Sequence, residues 1–242
     1  MAITVINKVL SATTGPGLST TTTAMSTIGA NCIIRIICDN QASGVLPPTG
    51  GPSTSSPPYD SSLNIWTLVR PADNDGTVTR VGIYYCLNPT TSATHTFTML
   101  KTSDVMTQVV IALSGVDTVG FVDQLSVATT TGATTVGSLA AGSITPTTNN
   151  QIVIAMVCQN YQTTAVAPTI SGGYNTTSPS TTTNAVANVR LGGGVGYIIQ
   201  TTATATNPLW TFGGNTKATT VIMSIKAAAT ANTNNSNFFL FM

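Results

Sequence analysis

Short apolar runs rich in Val, Ile, Thr and Tyr recur along the chain, divided by clusters of Gly, Pro, Asn and Ser. That spacing predicts an all-β chain. Strands are predicted at ITVINKVL, NCIIRIIC, LNIWTLVR, TVTRVGIYYCL, THTFTML, TQVVIALS, QIVIAMVC, GVGYIIQTT and ATTVIMSIK. No segment longer than ten residues carries the period of a helix. The runs are of two kinds. In ATTVIMSIK the positions alternate, with Val221, Met223 and Ile225 on one face and Thr220, Ser224 and Lys226 beside Ile222 on the other, as in a strand with one face inward. QIVIAMVC and CIIRIIC are apolar on nearly both faces, as in central strands covered on both sides by a second sheet, long loops or another subunit. Two packed sheets accommodate both kinds, so the expected fold is an antiparallel two-sheet β-sandwich.

Between the strands lie three long links. Residues 39–62 hold five of the twelve prolines and no periodic pattern, and residues 116–150 and 171–194 are the second and third links. Loops of this length are usually functional or pinned to a neighbour. The expected organisation is a single sandwich domain over residues 1–228 and an extended tail over 229–242.

Composition narrows the function. A chain of 242 residues suits one large all-β domain. Charged residues are 6% of it, against about 25% in ordinary domains, and Glu is absent. Eight scattered Lys and Arg and a net charge of +1 make no basic stripe, so no nucleic-acid partner is expected. The N-terminal MAITVINKVLSATTG lacks the features of a signal peptide, and no apolar stretch reaches 18 residues. The expectation is a protein made without classical secretion, with no membrane partner, that reaches the outside of a cell by lysis or within a particle.

Four cysteines are too few and too widely spaced for a disulfide scaffold. Cys32 and Cys38 share one strand face, roughly 20 Å apart at about 3.3 Å per residue, and cannot bond within it. With Cys86 and Cys158 they read as buried free thiols; a bridge between strands or subunits is the alternative.

Candidate chemistry is sparse. His95, the single histidine, stands in THTFT, and no G-x-S-x-G elbow accompanies it, so it reads as a histidine on a sheet face between threonines. Asp73 and Asp75 in RPADNDGT form the one close carboxylate pair. A turn closing the flanking strands explains them, with a surface calcium as the alternative. LGGGVG lacks the strand-before, helix-after context of a phosphate loop and reads as a flexible lead-in to YIIQTT. Among the aromatics, Trp66 and Tyr85 lie inside apolar strands and read as core, whereas Trp210, in TNPLWTFGG beside a turn, is the candidate sugar-stacking platform. No catalytic residue, cofactor or metal ligand is assigned, and no enzyme activity is expected.

The order of segments carries a resemblance. TTTTAMSTIGAN leads into an apolar strand, then come VGIYYC, HTFTM, ALSGVD with VDQ close behind, GSITPTTNNQIVIAMV, PTISGGYN, GVGYIIQ and NPLWTFGGNTKATTVIMSIKA. Over roughly residues 3–228 this resembles a jelly-roll-type β-sandwich module of bacteriophage virion proteins and bacterial surface proteins. The resemblance implies a structural or adhesive module without catalytic residues. The expected function is therefore that of a virion structural protein, most concretely a capsid decoration protein on the outer head surface. It would bind the major capsid or another virion protein and copies of itself, as a homo-oligomer, a trimer, through many weak contacts. The alternative is a receptor-binding or carbohydrate-adhesive module of a tail fibre or cell surface, gripping host glycan through Trp210.

The tail ends in Phe238, Phe239, Leu240, Phe241 and Met242, after a string of Ala, Thr, Asn and Ser. Burying large apolar side chains at about 25 cal/mol per Å² is worth several kcal/mol, and leaving them in water invites aggregation. These five residues are the partner-docking candidates, set against a tail that folds back to cap its own sandwich.

Overall fold

A computed structural model describes residues 2–13, 19–39, 49–50, 58–74, 79–100, 106–130, 134–161, 167–176, 181–186 and 189–229. Among these residues there is no helix, and every paired strand is antiparallel to its neighbours. In chain order the strands are β1 (Thr4–Thr13), β2 (Ser19–Thr21), β3 (Cys32–Asp39), β4 (Thr49–Gly50), β5 (Tyr59–Asp60) and β6 (Trp66–Asn74). Next come β7 (Arg80–Leu87), β8 (Phe97–Leu100), β9 (Met106–Ser114), β10 (Val122–Thr129) and β11 (Val136–Ala140). The last five are β12 (Gln151–Tyr161), β13 (Thr169–Ile170), β14 (Thr181–Val186), β15 (Val189–Gln200) and β16 (Leu209–Ile225).

Two large sheets face each other. One runs β1-β9-β3-β7-β6-β4; the other runs β10-β16-β12-β15-β14, with β11 and β13 also paired to β16. The expected antiparallel β-sandwich is present. A third, small sheet, β2-β8-β5, lies over the outer face of the first.

The sequence alternation explains this layering. On β3, Cys32, Ile34, Ile36 and Cys38 point into the core between the large sheets, where they meet Ile152, Ile154, Met156 and Cys158 of β12. The intervening Ile33 and Ile37 point outward, into a second core closed by Phe97 and Met99 of the small sheet. On β12, Val153, Ala155 and Val157 likewise point outward, into a third core with Trp210 and Phe212. The two runs that were apolar on both faces are thus sandwiched on both faces, by elements of the chain itself. A buried Ile, Leu or Phe is worth about 1.5–3 kcal/mol and an exposed ion pair at most about 1. With so few charges, the three apolar layers dominate the stability.

The expectations about the three links need correction. The 39–62 link contains the short strands β4 and β5, the 116–150 link contains β10 and β11, and the 171–194 link contains β14 and the start of β15. Their Thr- and Gly-rich composition hides the strands, because edge and covering strands need only a half-buried surface. LGGGVG is not a flexible lead-in but the middle of β15, with Gly192–Val195 buried. The reason is close approach: a Cβ on Gly194 would meet the Trp210 ring at 2.9 Å and Pro168 at 3.0 Å, and one on Gly193 would meet Thr107 at 3.0 Å. The last strand is also longer than ATTVIMSIK. It starts at Leu209, pairing there with β11 and β13, and this first half covers the outer face of its own sheet.

Candidate functional site

The outward face of β3 carries a charge at its centre, Arg35, with no exposed surface. The ring of Trp66 lies 5.1 Å and that of Phe97 5.8 Å from its guanidinium carbon. Nη2 donates to Gln108 Oε1 at 2.7 Å and to the Thr98 carbonyl at 2.9 Å, and Nη1 donates to the Tyr59 carbonyl at 3.1 Å. Gln108 Nε2 in turn donates to Ser11 Oγ and to the carbonyls of Thr20 and Phe97. Arg35 thus fastens β5 and β8, and Gln108, which it holds, fastens β2 and β8, so this pair from the large sheet ties down all three strands of the small one.

Next to it lies Asp60, 1% exposed. Trp66 Nε1 donates to its Oδ2 at 2.8 Å, and the Ser62 and Asn64 amides donate to Oδ1 at 2.8 and 3.3 Å. These bonds wind residues 60–64 into an Asx-type turn that holds Leu63 at φ 56°, a backbone region costly for a branched side chain. His95 Nε2 stands 3.0 Å from Oδ1, off the hydrogen-bond axis. The histidine ring stacks on Phe97 with centroids 4.4 Å apart, and its Nδ1 is 3.0 Å from Thr27 Oγ1. Thr27 Oγ1 also accepts from the Ser92 amide at 3.0 Å. The turns around residues 27, 60–64 and 90–95 are thereby tied into one knot.

The electrostatics follow from this packing. Burial pushes the Asp60 carboxyl up, but the His95 ring and the Asn64 and Ser62 amides outweigh it, and the net shift is downward. Burial drives Arg35 down to about 9, with Asp60 opposing, so both remain charged at neutral pH. Burial also raises the Cys32 thiol, helped by Cys86, and takes Cys86 up to about 12, helped by Asp60.

Thr27, His95 and Asp60 are the residue types of a nucleophile, base and orienting acid. Their exposures are 0%, 0% and 1%, and the threonine oxygen is already bound to Ser92. What the arrangement does is hold turns in place. Sequence reasoning missed this cluster and put His95 on a sheet face between threonines. Thirty-five positions separate Asp60 from His95, and nothing local in PPYDSS or THTFT links them.

A second feature is open. Where the central core reaches solvent between β6–β7 and β10, Leu68, Val69, Tyr85, Leu87, Phe121 and Leu125 line a groove of about 500 Å³. The Tyr85 and Phe121 rings lie 4.2 Å apart at its floor.

The chain matches no family model, no curated protein and no solved structure.

The remaining candidates fall as follows. Trp210 is a correction: its side chain is wholly buried, packed on Gly194, and presents no face to a sugar. Trp66 is core, as expected, and Tyr85 is half-buried in the groove. All four cysteines are free and buried. Asp73 continues β6, opposite Val81, and Asp75 lies outside the described residues. Among the described residues no group of three His, Cys, Asp or Glu is placed to hold a metal ion. Phe238, Phe239, Leu240, Phe241 and Met242 lie outside the described residues.

Proposed function

We propose that the chain is a structural protein of a bacteriophage particle, most concretely a decoration protein on the outer capsid surface, which works by docking to the shell and to copies of itself. The observation that carries this reading is the Thr27–His95–Asp60 knot. The cluster with the residue types of a hydrolase found among the described residues is sealed and spends its polar atoms on holding turns. A sandwich whose outer faces are both covered from within suits a rigid tile. The ordered segments that resemble jelly-roll modules of virion proteins support the particle setting, and the jelly-roll type belongs to the same proposal.

The knot also fixes what is left outside. Ile28, Leu63 and Ile65 project from the tied turns with 60%, 50% and 65% of their surface exposed. Large apolar side chains held out on a rigid frame serve as contact points, and we assign the shell contact to this end. A glycan-binding role loses its named platform with Trp210 in the core. The deciding experiment is quantitative mass spectrometry of purified particles. Hundreds of surface copies per particle are expected. Absence from particles, or a few copies confined to a tail, overturns the reading.

A further inference from the structure

We propose that residues Phe238–Met242 of the same chain close the apolar groove beside β10, lying as an added strand along the free edge of β10. This does not depend on the particle setting.

The groove is an unfinished part of the central core. Val69, Tyr85, Leu87, Val122 and Leu125 all pack against that core yet are only partly buried, and among the described residues no charged one lines the groove. Its volume of about 500 Å³ falls among sites that enclose a ligand, roughly 300–1,000 Å³. Along one wall runs β10, the end strand of its sheet, paired among the described residues with β16 only. An unpaired edge above an apolar groove is a template for a further strand.

The chain leaves its last strand at this place. Ile225 is opposite Val122, the first residue of β10. The Lys226 amide then donates to the Phe121 carbonyl, at the groove floor, and the Ala228 amide to the Gly115 carbonyl, each at 2.8 Å. From Ala229 to Phe238 the sequence is uncharged, and nine steps of at most about 3.3–3.6 Å reach roughly 30 Å. The eight residues of β10 cover about 27 Å, so the whole groove is within reach. The pentapeptide supplies apolar bulk of the kind the groove lacks, and a tether this short gives an effective concentration in the millimolar range. That favours the tail of the same copy over any outside segment.

The test compares the full chain with one ending at Asn237, using the synthetic peptide SNFFLFM as probe. The shortened chain should bind the peptide at least tenfold more tightly than the full chain, and Leu125→Glu in the shortened chain should abolish binding. Equal binding by both chains, or none by the shortened one, overturns the proposal. Should the shortened chain fail to fold, the full chain with photoreactive benzoyl-phenylalanine in place of Phe239 decides instead. Crosslinks to residues 68–69, 85–87 or 118–129 support the groove, and crosslinks elsewhere overturn it. In a mixture of ¹⁵N-labelled and unlabelled protein, crosslinks that join only like-labelled peptides support the same-copy assignment. Hybrid crosslinks would place the tail on a neighbour and overturn it.

Discussion

His95 Nε2 and Asp60 Oδ1 stand 3.0 Å apart with both side chains shut off from solvent. This pairing joins a turn in the first third of the chain to the segment before β8, and around it are gathered the Trp66 indole, the Thr27 hydroxyl and the Arg35 guanidinium. It is the keystone of the outer core.

Replacing Asp60 by Asn should therefore be costly. It removes a charge that Trp66, Ser62 and Asn64 all donate to, and it leaves Arg35 buried without its nearest counter-charge. Breaking one partner out of a buried charged group costs about 3–5 kcal/mol. Urea unfolding of Asp60→Asn should show a loss of that size; a loss below about 1 kcal/mol would mean the knot is incidental.

The same carboxyl sets an acid limit. Its pKa is lowered on folding, so its contribution is fully present above the unfolded value near 4 and is lost as pH falls through the lower folded value. Asp123 has the same sign: burial raises its carboxyl, but hydrogen bonds from Thr147 and Gln151 outweigh this. The wild-type Tm should fall steeply below about pH 4. The Asp60→Asn curve should be flatter, with the gap between the two narrowing; a constant gap down to pH 2 would contradict the assignment.

Gly194 and Trp210 define a close contact between β15 and the covering half of β16. Gly194→Ala should cost about 1–3 kcal/mol by overpacking, and Trp210→Ala about 3–5 kcal/mol by cavity formation. Thermal unfolding measures both. A Trp210→Ala protein of unchanged stability would argue for an exposed ring and revive the glycan role.

The four buried thiols give a direct chemical test. An aromatic disulfide reagent should find no reactive cysteine in the native protein and four after denaturation without reductant. Fewer than four on denaturation would reveal a bridge between strands or subunits.

At the apolar end, stability and docking should separate. Because Ile28 and Ile65 are largely exposed, the double variant Ile28→Ser/Ile65→Ser should keep its unfolding free energy within about 0.5 kcal/mol. Its occupancy on particles, counted by mass spectrometry, should drop severalfold; unchanged occupancy would move the contact elsewhere.

Strand periodicity alone determined the all-β class, the inward face of ATTVIMSIK and the double coverage of CIIRIIC and QIVIAMVC, because period two is a local property and burial on both faces writes itself as an unbroken apolar run. It also placed Trp66 and the four cysteines in the core. Tertiary structure decided the rest. Strands β10, β11 and β14 are too polar to stand out, since a strand that covers another needs one apolar face or less. The glycines of β15 look flexible in isolation and are required only because folding brings Trp210 and Pro168 against Gly194 and Thr107 against Gly193. Arg35, Asp60 and His95 are ordinary polar residues until folding brings them together from three separate segments. Which side chains share a low-dielectric space is a property of the packed chain, and no local pattern records it.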